Sequence, residues 1–513
     1  MPHAVTQSCV GDGSCVYACP VNCIQPTPDD PAFEAAEMLF IDPATCVDCG
    51  ACVTACPVDA IKPHLYLSDD EREFLEINAE YHRERRDRPT LAPVRPRLRV
   101  HDRGEEIRVA IVGSGPAAMY AAEEILTIPR ARVDVYERLD RPYGLVRSGV
   151  APDHRRTRRI ARQLDRIRRH PRLTMHLGVH VGRDLTHEAL AASHHAVIYA
   201  VGSITDRALG IPGADLPGVA SATAFVGWYN GHPDFADRTF DLSHRRAVVI
   251  GNGNVALDVA RILSVDPDSL VDTDITTAAL AALRASKIEE VVVVARRGPE
   301  QSAFTLPELV GLSSTPGLSL RVDAAALPAA DPADASTTAP AGLRAPEQHK
   351  LALLRELAWE GGPHAAAPPR HTSHAITLRY LLAPERITGA GRVDGIEFLR
   401  QRPEPADDGS VRLVATGETE RLEAGLVLSA IGYHGTAVAS LPFDEERGVI
   451  PNVDGRVVDP ATGVPVPGTY VAGWIKRGST GFIGTNKRCA QDTVAALVDD
   501  YNAGKLSPAT TTA

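Results

Sequence analysis

Val109-Ala110-Ile111-Val112-Gly113-Ser114-Gly115-Pro116-Ala117-Ala118 is an apolar run that stops in a glycine-rich turn and restarts as a helix-forming stretch, Met119 to Leu126. The pattern predicts strand, turn and helix, the opening of a βαβ dinucleotide-binding unit. Gly113 permits the tight turn, Gly115 lets the backbone approach a pyrophosphate, and Ala118 lets the helix lie close to the strand. The start of that helix offers unpaired N–H groups to the phosphates. A second run, Arg132-Val133-Asp134-Val135-Tyr136-Glu137, ends in an acid about 20 residues on, where a ribose hydroxyl is bound. A glycine turn that only capped a helix would need neither the strand before it nor the acid after it.

Arg246-Ala247-Val248-Val249-Ile250-Gly251-Asn252-Gly253-Asn254-Val255-Ala256 repeats the pattern, so two dinucleotide sites are expected. Here the next strand, Val291 to Ala295, runs into Arg296 and Arg297 instead of an acid. Arginines accept a 2′-phosphate through bidentate, charge-assisted bonds, so the second site selects NADP(H) over NAD(H). The alternative is a pair of arginines that merely ends a strand at the surface. Ala196 to Gly202 is a further strand that returns the chain to the first sheet, ending in a glycine near bound cofactor. By analogy of fold, the second unit is inserted within the first.

Eight of the nine cysteines lie between residues 9 and 56. Cys46-x2-Cys49-x2-Cys52-x3-Cys56-Pro57 has the spacing of a bacterial ferredoxin, in which the fourth cysteine crosses to the other cluster. Cys9-x2-Asp12-x2-Cys15-x3-Cys19-Pro20 is the same motif with Asp12 in the second ligand place. One [4Fe–4S] cluster is thus assigned Cys19, Cys46, Cys49 and Cys52. The other is assigned Cys9, Cys15 and Cys56, with Asp12 or nothing on the last corner. Carboxylate holds a soft iron–sulfur corner less firmly than thiolate, so this second cluster is expected to be [3Fe–4S] or a labile [4Fe–4S]. Cys23 is left as a free, buried thiol. A disulfide framework would need a secreted context, and zinc would use two separate CxxC pairs. Ala18-Cys19-Pro20-Val21-Asn22 against Ala55-Cys56-Pro57-Val58-Asp59 is an internal repeat, the pseudo-twofold of a bicluster ferredoxin. Residues 1–62 carry eight acids and one lysine.

At 513 residues the chain has room for about three domains. No apolar run approaches the ~20 residues of a membrane span. The N-terminus has neither a basic nor an apolar leader region, so a cytoplasmic location is expected. A net charge of −11 argues against nucleic acid as a partner. Residues 87–104, rich in Pro and Arg, read as a semi-stiff tether that leaves the pose of the ferredoxin unfixed. Residues 323–375 are rich in Ala, Pro and His and read as a variable insertion. Nine arginines crowd Arg155 to Arg172. They form either a solvated face or an electropositive dock for an acidic ferredoxin, fused or separate.

Arg141-Pro142-Tyr143-Gly144-Leu145-Val146-Arg147-Ser148-Gly149-Val150-Ala151-Pro152-Asp153-His154 resembles the adrenodoxin-reductase-like ferredoxin–NADP reductases. With its ferredoxin motif, the whole chain is similar to the actinobacterial members that carry a fused ferredoxin. The resemblance implies an α+β bicluster ferredoxin domain, then an α/β two-dinucleotide-binding, Rossmann-like flavoprotein with its NADP domain inserted in its FAD domain. The expected boundaries are 1–67 for the ferredoxin domain, 68–106 for a linker, 107–220 for the first part of the FAD domain, 221–395 for the NADP domain, and 396–513 for the return segment and tail. The resemblance adds Leu145, Val181, Trp474, Gly481, Phe482 and Ile483 as FAD contacts. It adds Asn254, Val255, Ala256, Leu257 and Glu308 as NADP contacts, with Gly481 shared at the nicotinamide end. His154 is either a proton relay beside the flavin or a structural histidine. Relatives pair it with a glutamate, and Gly311 stands roughly where that acid would fall.

The implied activity is NADPH–ferredoxin oxidoreduction, NADPH to FAD to cluster to cluster to an external ferredoxin or cytochrome-type acceptor, or the reverse. A flavin handles electrons in pairs and singly, which joins the two ends. A monomer is expected. The alternatives are the electron-input subunit of a larger complex and an iron–sulfur redox sensor.

Overall fold

The computed structural model describes residues 2–83, 89, 91, 92, 94, 96–101, 104–327, 345–359, 374–405 and 411–506. The N-terminal unit is built on its repeat. Helices Ser14–Ala18 and Ala51–Ala55 start after Gly13 and Gly50, both at φ 73°, and end at Cys19 and Cys56. His3–Val5 pairs antiparallel with Ile61–Pro63, and Ile24–Gln25 with Phe40–Ile41.

The expected linker from 68 to 106 is corrected at its start. Helix Glu73–Tyr81 is part of the ferredoxin unit: Phe74 and Ile77 are buried in its core. Asn78 is buried there too, accepting from Val5 N at 3.2 Å and Ile41 N at 2.8 Å and donating to Val5 O at 2.9 Å. The helix shares that core with Cys15, Val16 and Cys52 of the two short helices and with the strands Ile24–Gln25 and Phe40–Ile41.

Two seven-stranded sheets follow. In the first, Pro465–Val471, Ala196–Tyr199, Ile107–Val112, Ala131–Glu137 and Leu173–Leu177 lie parallel in that order. Helix Pro116–Leu126 packs on it beside the C-terminal helix Thr485–Asn502. The second sheet has the order 219–221, 426–429, 246–250, 290–294, 374–379, 318–323, 358–359, all parallel. The chain enters it from the first sheet and returns to the first afterwards, as an inserted unit does.

The return was expected from residue 396, and the structure moves it. Leu426–Ser429 lies between Val219–Ser221 and Arg246–Ile250 in the second sheet. The hairpin strands Leu382–Thr388, Gly395–Pro405 and Val411–Glu423 pack through Ile396, Phe398 and Leu422 on Val248 and Val292 of that sheet. The expected insertion 323–375 contains helix Ala345–Glu356, whose Leu354 is buried in the second core. Much of the rest of it, like part of the tether and residues 507–513, lies outside the described residues. Among the described residues no helix is long and apolar enough to cross a membrane.

The ferredoxin unit has a fixed seat, which corrects the expectation of a loose tether. Val10, Val58 and Ala60 are buried in the core of the first sheet, while Leu306 and Val310 are buried in the ferredoxin core. Gly484 N donates to Val10 O at 2.7 Å, and a Cβ on Gly484 would collide with the backbone of Gly11 and Asp12. Around this apolar centre, among the described residues, every charged pair has its acid on the ferredoxin. Glu71 meets Arg156 at 2.7 Å, Glu37 meets Lys350 at 3.1 Å, and Asp29 meets Arg488 at 2.9 Å. Asp59 pairs with Arg159. His349 bridges Glu73 at 2.9 Å and Glu80 at 2.8 Å. Burial works against ionising Glu71, but Lys62, Arg156 and Ser68 outweigh it and hold the carboxyl down at about 2.

The arginine run therefore divides. Arg156 and Arg159 hold the fused ferredoxin, so the dock reading is right for these two. Arg172 donates to the carbonyls of Leu126, Ile128 and Ala131, and Arg168 and Arg169 pair with Asp165 of their own helix.

Candidate functional site

A cavity of about 330 Å³ lies where the three units meet. The first sheet contributes Gly113, Ser114, Gly115, Glu137, Leu145 and His154. The return segment contributes Trp474, Gly481, Phe482 and Ile483, the second unit Asn254, Val255, Asp258 and Glu308, and the ferredoxin unit Gln7, Cys9 and Val10.

The strand ends explain the glycines. Gly113 has φ +100° and Gly251 φ +113°, and a Cβ would collide with the carbonyl of Ala200 or Ala430 on the neighbouring strand. Nothing stands within 4 Å of a Cβ position at Gly115 or Gly253, which leaves room for a phosphate over each helix start. Glu137, buried beside the first turn, accepts from Ser114 N at 3.1 Å, Ser114 Oγ at 2.6 Å and Leu139 N at 2.9 Å. A carboxylate has about four acceptor sites, so one is left for a ribose hydroxyl. Trp474 lies 5.4 Å from Tyr433, ring to ring, and donates Nε1 to Thr480 O at 3.0 Å, which fixes the wall of the cavity. The donor set fits an FAD.

Some expected contacts lie elsewhere. Ala118 is wholly buried where the helix crosses the sheet, the packing role foreseen for it. Val181 is buried with Leu185, Val197 and Tyr199 and does not line the cavity. Ala256 and Leu257 have buried side chains, and their N–H groups both bond to Gly253 O, so neither is turned to a nucleotide. Asn254 is held at the helix start, accepting from Thr305 N at 2.8 Å. Arg296 and Arg297 are exposed after strand Glu290–Val294, with no ion-pair partner among the described residues.

The histidine has its acid, one helical turn before the expected place. Glu308 Oε2 lies 3.7 Å from His154 Nε2, and Asp258 Oδ1 lies 3.8 Å from the same nitrogen. Gly311 offers no acid, and Glu308, one turn earlier on helix Leu306–Ser313, is the carboxylate this helix brings to the cavity. Arg261, only 5% exposed, balances these acids, 2.7 Å from both Asp153 and Asp258. Burial raises the Glu308 carboxyl, as does Asp258, while His154, Arg261 and Gln7 work to lower it. Asp258 and Gln7 had no signal in the sequence.

The eight expected cluster ligands gather into two sets. Cys19, Cys46, Cys49 and Cys52 line one small pocket with Cys23, whose Sγ is 3.4 Å from that of Cys19. Cys9, Cys15 and Cys56 face one another and Asp12, close enough to perturb one another's charge. Burial pushes the thiols of Cys9 and Cys52 up to about 12. Such thiols ionise only against a soft cation, which is what an iron–sulfur cluster supplies. The Cys9 set borders the cavity, whereas Cys49 is exposed on the other set.

Comparison with known proteins agrees with this geometry. A 4Fe-4S dicluster domain family matches residues 8–60 and a second such family residues 38–93. The pyridine nucleotide-disulphide oxidoreductase family matches residues 107–298. A protein of Mycobacterium bovis described as a probable ferredoxin/ferredoxin–NADP reductase is 52% identical over 520 residues, covering 99% of this chain and 85% of its own length. The human mitochondrial NADPH:adrenodoxin oxidoreductase is 43% identical over 78% of this chain and 80% of its own length. The solved structure of Mycobacterium tuberculosis FprA in complex with NADPH superposes with a TM-score of 0.71 at 43% identity, covering 79% of this chain and 87% of that one. The chain belongs to the ferredoxin/ferredoxin–NADP reductases, a bicluster ferredoxin joined to a two-dinucleotide flavoprotein.

Proposed function

We propose that this protein oxidises NADPH and passes the electrons one at a time through its own ferredoxin domain to an external ferredoxin or cytochrome-type acceptor. The observation that carries this reading is the meeting of three units at one cavity, with Cys9 on its wall. A bound flavin would supply the exchange between paired and single electrons. Gly115 and Gly253 leave room for the two pyrophosphates, and Arg296 and Arg297 stand free to take a 2′-phosphate. His154 and Glu308 form the proton-holding pair at the nicotinamide end. Phe482, Ile483, Val10 and Trp474 keep water from the reacting face.

The cysteine sets have an order. The Cys9, Cys15, Cys56 set is the inner one and, with Asp12 at its fourth corner, holds a [3Fe–4S] or labile [4Fe–4S] cluster. The Cys19, Cys46, Cys49, Cys52 set is the outer one, from which the acceptor is served. The protein works as a monomer in the cytoplasm on this reading.

Rapid mixing of the anaerobic holoprotein with NADPH tests this. The flavin absorbance should bleach first, and freeze-quenched EPR should then find reduced clusters. A flavin that stays oxidised would overturn the reading.

A further inference from the structure

We propose that Gln7, a residue of the ferredoxin domain, is a positioning residue of the hydride-transfer site, its carboxamide holding the Glu308 carboxylate beside His154. This rests on the reading of that site given above. Gln7 Nε2 donates to Glu308 Oε2 at 3.2 Å. That is the same oxygen that lies 3.7 Å from His154 Nε2. Arg261 Nη1 lies 3.9 Å from that oxygen, beyond hydrogen-bond reach, its guanidinium held there by the bonds of Nε and Nη2 to Asp153 and Asp258. Among the described residues Gln7 is therefore the nearest side-chain donor to this carboxylate.

The seat of Gln7 is built from both sides. Its segment is pinned within the ferredoxin by Thr6 N to Ala60 O at 2.8 Å and Cys9 N to Thr6 O at 3.1 Å. It is pinned to the reductase by Gly484 N to Val10 O at 2.7 Å. The helix that carries Glu308 is pinned to the ferredoxin in turn, since Leu306 N donates to Glu37 Oε2 at 2.6 Å. The carboxamide rests on Gly311, where any Cβ would collide with it. Gly311 is inside helix Leu306–Ser313 without a positive φ, and alanine is the better helix former there. A side chain at 311 would therefore have to push the Gln7 carboxamide off its seat.

A donor to a carboxylate favours its charged form. Facing Glu308 are His154 and Arg261, which also favour that form, and Asp258, which opposes it. Removing the Gln7 donor therefore raises the carboxyl. The test is spectroelectrochemistry of the holoprotein, reading the pH at which the flavin midpoint potential changes slope, together with the pH profile of flavin bleaching by NADPH. Gln7→Met keeps the shape and loses the donor, and Gly311→Ala keeps the donor and removes its seat. Both should move the break and the profile upward by about one pH unit. If Gln7→Met leaves the break where the unmodified protein has it, the proposal is overturned. A shift with Gln7→Met and none with Gly311→Ala overturns the seat on Gly311. NADPH that fails to bleach the unmodified protein would overturn the function itself, a separate outcome.

Discussion

Replacing His349 by glutamine should loosen the ferredoxin domain from the reductase by an amount set by pH. The imidazole sits between Glu73 and Glu80 of the ferredoxin helix, with 14% of its side chain exposed. Burial disfavours the charged ring, but the two carboxylates outweigh it and raise His349 from 6.5 to about 9. A group raised in the docked state stabilises that state fully below its undocked value, and the contribution is lost as pH climbs through the docked one. At about 1.4 kcal/mol per pH unit, the difference gives a ceiling of about 3 kcal/mol near pH 6, about 2 kcal/mol near pH 7.5, and almost nothing by about pH 10. The assay is hydrogen exchange by mass spectrometry on the amides of Glu73–Tyr81, corrected for the intrinsic rate at each pH. Exchange in His349→Gln should outpace the unmodified protein by roughly two orders of magnitude near pH 6, and the gap should close towards about pH 10. A gap that is constant across that range, or absent near pH 6, would refute the electrostatic account of this contact.

Arg296→Ala with Arg297→Ala should raise KM for NADPH about 100-fold, leave kcat alone and leave NADH kinetics unchanged, since two charge-assisted contacts of about 1.5 kcal/mol each are lost from uniform binding. Steady-state kinetics with both nucleotides decides it, and equal losses with NADH would refute the assignment. Asp12→Cys completes the fourth corner of the inner set: iron content should rise from about seven to about eight per chain, and the EPR signal of an oxidised three-iron centre should vanish. Persistence of that signal would show that the corner is not set by residue 12.

The parts legible in the sequence were those where chemistry fixes residue type and spacing together. Cys46, Cys49 and Cys52 take three corners from one tight loop, which fixes their spacing, and Gly113 and Gly251 must lack a Cβ because a neighbouring carbonyl occupies its place. Helix Glu73–Tyr81 has a local signal, because Phe74, Ile77 and Asn78 share one helical face, but nothing local says which core that face enters. Leu426–Ser429 looks like any apolar strand, and only pairing with Arg246–Ile250 assigns it to the second sheet. Glu308 and Gly311 are one turn apart and share a helical face, with Gln7 against both, so only the tertiary contact shows which of them brings an acid to the histidine. Gln7 meets Glu308 across 301 residues of chain, a distance over which no local pattern carries information.

Helix Leu306–Ser313 sends Leu306 and Val310 into one core and Glu308 into the cavity. Eight residues are too short to bend between those tasks, so the helix answers to both at once. The packing of the cysteine-lined interior and the placing of the acid beside its histidine are thus one mechanical problem, solved by a single short rod that cannot satisfy either end alone.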